Sequence, residues 1–221
     1  MSRIVLKVGG AVAADAAAPA LALASSNEVC VVHGAGPQIS AELKRAGLEV
    51  RFVDGRRVTS GAALEVVRAS FAAVNDAVCA AIGPLAVPLF GDEIGLAAVQ
   101  MPELGFAGSA VPSCPAAIEA ALATGLIPVV APLAAGPLNV NADEAAAALA
   151  VGLGADKLLF VTDVPGVLLG GAIAPWIRVA EAEWLLDAGA LGGGIVPKLR
   201  AAVAAVRGGV DAEIGVTAVL A

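Results

Sequence analysis

The chain has 221 residues, a formal net charge of −7 and 59% hydrophobic residues, which fits one α/β domain or two small lobes with a sizeable buried core. The acidic balance provides no basic stripe to neutralise phosphates, which excludes nucleic acid as a partner. The longest uncharged run, 120–142, is interrupted by Gly125, Pro128, Pro132, Gly136 and Pro137 and holds two Asn side chains, so it does not read as a membrane span.

The predicted elements alternate in type along the chain. Arg3–Val8 is an apolar, β-branched strand with no charged, apolar leader before it, and a cytoplasmic protein without a signal peptide is expected. Ala11–Ser25 reads as a helix and Glu28–Val32 as a second strand. His33-Gly34-Ala35-Gly36 then leads into a helix over 37–46, with Pro37 suited to its first turn. Residues 50–59 form a hairpin through Asp54-Gly55. A long helix over 60–82 carries Leu64, Val67, Phe71, Val74 and Val78 on one face. Residues 87–101 are strand-rich with a turn at Gly91-Asp92-Glu93, 115–124 is helical and 126–130 is a strand. An Ala-rich helix covers about 144–151 and a buried strand 157–162, closed by the turn Asp163-Val164-Pro165-Gly166. Two helices follow near 181–188 and 197–206, and 212–220 holds one or two strands. Short apolar strands alternating with helices imply α/β architecture, with a mostly parallel sheet covered on both faces. A lobe boundary is placed near Gly154-Ala155, giving lobes 1–155 and 156–221.

Chemistry concentrates at a few segments. Asn139, Asn141 and Asp143 alternate just before the Ala-rich helix. In extended backbone their side chains point one way, toward a ligand that carries amide and charge. The alternative is a plain helix N-cap, which favours the same residue types. Three glycine loops, Lys7-Val8-Gly9-Gly10, 33–36 and Gly192-Gly193-Gly194, could bring backbone N–H groups close to phosphate oxygens, or simply turn the chain. There is no GxxxxGK[ST] sequence, and Gly34-Ala35-Gly36 lacks the last glycine of GxGxxG. Of 13 basic residues only four are lysines, and two of those, Lys7 and Lys198, adjoin glycine loops. Phosphoryl transfer needs compact cations of this kind. Cys30, Cys79, Cys114 and the single His33 form no zinc pattern, and no metal ligands are expected.

The motifs Lys7–Gly10, Val32-His-Gly-Ala-Gly-Pro-Gln38, Asp54–Thr59, Asn139-Val-Asn-Ala-Asp143, Thr162–Gly166 and Gly193–Lys198 span nearly the whole chain in order. Together they resemble the amino acid kinase family, most of all its branch with N-acetyl-L-glutamate as acceptor. The resemblance implies a three-layer αβα sandwich around a mostly parallel open sheet. The first lobe would bind the acceptor and dimerise, and the second would bind the nucleotide. It implies transfer of the γ-phosphoryl of ATP, with Mg2+ carried by the nucleotide, to the acceptor's side-chain carboxylate in arginine biosynthesis. In that scheme Lys7 and Lys198 stabilise the transferring phosphoryl and Asp143 holds both lysines. Gly10, Gly34 and Ala35 offer N–H groups to the phosphoryl region, with Gly9 in the same nucleotide loop. Arg57 pairs with the α-carboxylate, Asn139 binds the acetamido end, and Thr162 and Asp163 line the nucleotide site. A carboxylate acceptor, with an ordinary pKa of about 4.3, is already ionised at neutral pH, so no general base is needed.

Three departures from the family pattern stand out. Ala35 replaces a glycine. Gly55-Arg56-Arg57 replaces Gly-Leu-Arg, which adds a charge beside the acceptor arginine. The segments near the carboxyl end run together over 210–219. Competing readings are a kinase for an aminoadipate derivative, aspartate or carbamate, a non-catalytic binding module that kept the fold, and a nucleotide-binding oxidoreductase. Family members inhibited by arginine carry an extra N-terminal helix, whereas only Met1 and Ser2 precede the first strand here. The expectation is an arginine-insensitive homodimer paired through the apolar face of 60–82.

Overall fold

The structure is a computed structural model that describes residues 1–9, 16–162 and 164–221. Its elements run β1 (Ser2–Val8), α1 (Ala17–Ala24), β2 (Asn27–His33), α2 (Gly36–Arg45), β3 (Phe52–Val53), β4 (Arg56–Arg57), α3 (Gly61–Ile82), β5 (Ala86–Phe90) and the single turn α4 (Gly91–Ile94). They continue with β6 (Ala98–Met101), β7 (Ala107–Ala110), α5 (Ala116–Ala123), β8 (Ile127–Ala131), β9 (Leu133–Ala134), β10 (Leu138–Val140), α6 (Ala142–Gly152) and β11 (Lys157–Val161). The last are β12 (Leu168–Leu169), β13 (Ala172–Ile173), β14 (Trp176–Arg178), α7 (Val179–Asp187), α8 (Ile195–Arg207), β15 (Asp211–Ile214) and β16 (Thr217–Leu220).

Eight strands form one sheet in the order β14-β16-β15-β11-β1-β2-β8-β5. Its pairs are parallel except β15 with β16. Strand β1 lies inside, in register with both β2 and β11. Side chains along it therefore feed both faces. Val5 joins a core with α5, α6, α7 and α8, while Leu6 and Val8 join one with α1, α2 and α3. The result is the expected αβα sandwich.

A second, four-stranded sheet, β6-β7-β10-β9, is mostly antiparallel and was not foreseen. The strand-rich stretch 87–101 is β5 and β6, and the turn expected at Gly91-Asp92-Glu93 is the single-turn helix α4. Gly91 is needed there for close approach: a Cβ would lie within van der Waals radii of Leu133 O. The predicted helix over 11–25 is seen as α1, and its residues 11–15 lie outside the described residues. The apolar face of α3 needs a correction. Leu64, Val67, Phe71, Val74 and Val78 are buried in the chain's own core, so they cannot pair with a second copy. Among the described residues no helix is long and apolar enough to cross a membrane.

Candidate active site

Strands β1, β2 and β11 end side by side at one edge of the sheet. Parallel α/β sheets place their ligand crevices at such carboxyl ends. A cleft of about 340 Å3 opens there, a size suited to small molecules. It is bounded by the N-termini of α2, α6 and α8, each a source of free N–H groups and partial positive charge.

Lys7 shares its face of β1 with Val5, the face that α6 covers. Its Nζ lies 2.6 Å from Asp143 Oδ1. Lys198, in the first turn of α8, places its Nζ 3.6 Å from the other oxygen, Oδ2. All three side chains are buried, with residue exposures of 5% for Lys7, 5% for Asp143 and 9% for Lys198. One carboxylate thus joins two ammonium groups from opposite ends of the chain, leaving a net positive centre.

Asp143 is positioned by the start of α6. Asn141 is its N-cap: Oδ1 accepts hydrogen bonds from the N–H of Asp143 at 2.8 Å and of Glu144 at 3.3 Å. This starts the helix at Ala142, two residues earlier than expected, and makes Asp143 a helical residue rather than part of an extended run. The capping reading of Asn141 is what the structure shows, and Asn139, Asn141 and Asp143 all line the cleft.

Arg57 is buried, and its Nη2 donates to Gly36 O at 3.2 Å and to Ser40 Oγ at 2.9 Å. Its guanidinium lies 4.5 Å from the Phe52 ring centroid, a cation–π contact across the hairpin. Burial pushes its pKa below the ordinary arginine value. Among the described residues its buried Nη1 has no hydrogen-bond partner. A buried charged donor of that kind calls for an anion. Asn139 Nδ2 donates to Thr59 Oγ1 at 3.0 Å, and Thr59 in turn donates to Arg57 O at 2.9 Å. Phe52, Thr59 and Ser40 therefore fix Arg57 and Asn139 in place. Only the cross-strand Phe52–Arg57 pairing could have been read from the hairpin spacing.

Lys7, Gly9, Gly34, Ala35, Arg57, Asn139, Asp143, Thr162 and Lys198 all line this one cleft. Gly10 and Asp163, the other two expected site residues, lie outside the described residues. One expectation needs correction. The Gly34 N–H donates to Val8 O at 2.9 Å, and the Gly9 N–H to Val161 O at 3.1 Å. Both N–H groups continue the sheet ladder and are not offered to a phosphoryl group. The N-terminus of α2, with Ala35 as its N-cap residue and Gly36 also lining the cleft, has the free N–H groups and partial positive charge that suit an anion. His33, just before this loop, is fully buried in the core. Among the described residues no group of three or more His, Cys, Asp or Glu side chains could hold a metal ion.

Residues 2–215 match the amino acid kinase family. The chain is 42% identical to the acetylglutamate kinase of Rubrobacter xylanophilus over 224 residues, covering 97% of this chain and 88% of that protein. It is 40% identical to the acetylglutamate kinase of Solibacter usitatus over 227 residues, covering 95% and 88%. The crystal structure of smu.665 from Streptococcus mutans matches with a TM-score of 0.89 at 28% identity, covering 99% of this chain and 98% of that one. N-acetylglutamate synthase from Neisseria gonorrhoeae, at a TM-score of 0.85 and 22% identity over 100% of this chain and 59% of that one, shares the fold. With the family's match running almost end to end and its motifs meeting in one cleft, the chain belongs to the amino acid kinase family.

Proposed function

We propose that the protein is an acetylglutamate kinase, which phosphorylates the side-chain carboxylate of N-acetyl-L-glutamate with ATP and so serves arginine biosynthesis. The observation that carries this reading is the buried Lys7–Asp143–Lys198 unit beside the unsatisfied Arg57 donor. In the reaction a carboxylate oxygen of the acceptor bonds to the γ-phosphorus as the bond to the β,γ-bridging oxygen breaks, and ADP leaves with that electron pair. Negative charge spreads over the transferring phosphoryl, and two fixed ammonium groups oppose it without reorganising. Asp143 keeps them apart and aimed, and Arg57 and Asn139 hold the acceptor's α-carboxylate and acetamido end. Positioning and charge are what this chemistry asks of the protein, because the nucleophile is already ionised.

Mg2+ would arrive on the nucleotide and neutralise phosphate charge there. The acceptor residues Arg57 and Asn139 belong to lobe 1–155, and Thr162, Asp163 and Lys198 to the nucleotide lobe 156–221. Lys7, Gly9, Gly10 and Asp143 come from the first lobe and complete the phosphoryl centre between them. We place the enzyme in the cytoplasm as a homodimer, and light scattering reading a monomer's mass would overturn the dimer. The test of activity is a coupled ADP-release assay with N-acetyl-L-glutamate, N-acetyl-aminoadipate, aspartate and carbamate. The kinase reading expects the highest kcat/KM with N-acetyl-L-glutamate, and no ADP release with any acceptor would overturn it.

A further inference from the structure

The extra arginine of Gly55-Arg56-Arg57 is left unused by the reaction, and the structure gives it a partner. Hairpin β3–β4 has only two residues in each strand, joined by Asp54 and Gly55, both at positive φ. A ribbon this short has too little ladder to hold itself in place, yet it carries Arg57. Its support comes from outside. Asn141 Nδ2 donates to Gly55 O at 3.3 Å. The Arg56 guanidinium meets the Glu144 carboxylate at 2.9 Å, with side-chain exposures of 25% and 21%. Ser109 Oγ donates to the second oxygen of Glu144 at 3.4 Å. Adjacent strand residues point to opposite sides, so Arg57 turns to Phe52 and Ser40 while Arg56 turns to α6. Glu144 directly follows Asp143 in the first turn of that helix.

We propose that Arg56 is a positioning residue for the acceptor: its ion pair with Glu144 pins the β3–β4 hairpin to the first turn of α6, fixing Arg57 relative to Asp143 and its two lysines. This rests on the kinase reading above for its substrate. A pair this enclosed is screened less than an exposed one, and breaking it releases the strap that bears the clamp. The effect belongs on acceptor binding and not on the nucleotide.

The full chain is tested as Arg56→Met, Arg56→Lys, Glu144→Gln and the double variant Arg56→Met/Glu144→Gln. Steady-state kinetics with ATP and N-acetyl-L-glutamate are combined with amide hydrogen exchange over residues 52–57 without substrate. Each uncharged single variant is expected to raise the acceptor KM on the order of tenfold, with ATP KM within twofold and kcat within threefold. The double variant should be no worse than either single, since both remove one interaction. Arg56→Lys should recover most of the acceptor KM. Exchange over 52–57 should quicken in Arg56→Met while the global unfolding midpoint holds. An unchanged acceptor KM, acceptor and ATP KM rising together, or additive losses in the double variant would overturn the proposal. Inactivity of the unmodified protein on N-acetyl-L-glutamate would instead sink the kinase reading. In that case exchange alone decides, and unchanged rates over 52–57 in Arg56→Met would contradict the pinning.

Discussion

Two buried lysines meet one aspartate at 2.6 and 3.6 Å, so the cluster carries one net positive charge that an anion in the cleft would neutralise. The scarcity of lysine beside the glycine loops pointed to this pair. It could not show that both would converge on Asp143, because the three residues meet only through the packing of α6 on β1 and of α8 on α6. Arg57 makes a sharper residue-level prediction. Its Nη2 is committed to Ser40 and Gly36 while Nη1 is left over, a fork that lysine cannot reproduce. Arg57→Lys should raise the acceptor KM by at least about tenfold and leave the ATP KM little changed, as initial-rate kinetics would show. A rise confined to ATP would move Arg57 to the nucleotide side.

His33 tests the core beneath the loop. Asn75 Nδ2 donates to its Nε2 at 3.1 Å and to Val129 O at 3.0 Å, an arrangement that needs a neutral ring. Burial, opposed by a backbone hydrogen bond at Gly34 and aided by the charge of Lys7, depresses its pKa from 6.5 to about 4. Because the unfolded chain then takes up the proton first, this contribution to stability is full above about pH 6.5. It is lost as pH falls toward the folded value, a loss of roughly 3 kcal/mol. Urea unfolding between pH 7.5 and 4 should show this slope in the wild type and lack it in His33→Gln. Equal slopes would contradict it.

At the scale of elements, the strands of the large sheet were legible because continuous β-branched runs such as 3–8 and 28–32 have few other solutions. The Asp54-Gly55 hairpin followed from turn chemistry, and both residues do take positive φ. The second sheet was not legible. Strands of two to four residues, such as β7 and β10, show no usable alternation, and their pairing is decided by distant segments. The same holds for the edge strand β14 and the Gly170-Gly171 hairpin of β12 and β13, at positive φ in both glycines. Helix α6 began early because Asn141 supplies the cap. Removing it with Asn141→Ala should lower the unfolding free energy by about 1 kcal/mol in urea melts. It should also loosen the hairpin, whose Gly55 carbonyl loses a donor. An unchanged midpoint would mean that the cap is dispensable.

At the scale of the molecule, one continuous sheet pairs β1 with β11 across the boundary proposed near Gly154-Ala155. The site sits on that seam. Its parts come from positions as far apart as Lys7 and Lys198, which is why no single local motif identified it and the ordered set of motifs did. The apolar face of α3 shows the reverse failure: helical periodicity located a buried face but could not say whether the chain or a second copy buries it. The central claim is that this seam is a phosphoryl-transfer centre with Lys7 and Lys198 acting on the transition state. It is tested most directly by the turnover number for ADP release with N-acetyl-L-glutamate in Lys7→Ala and Lys198→Ala. The account predicts at least a 100-fold fall in each, about 3 kcal/mol of lost stabilisation, with a smaller change in ATP affinity. Turnover near that of the wild type in both variants would contradict it.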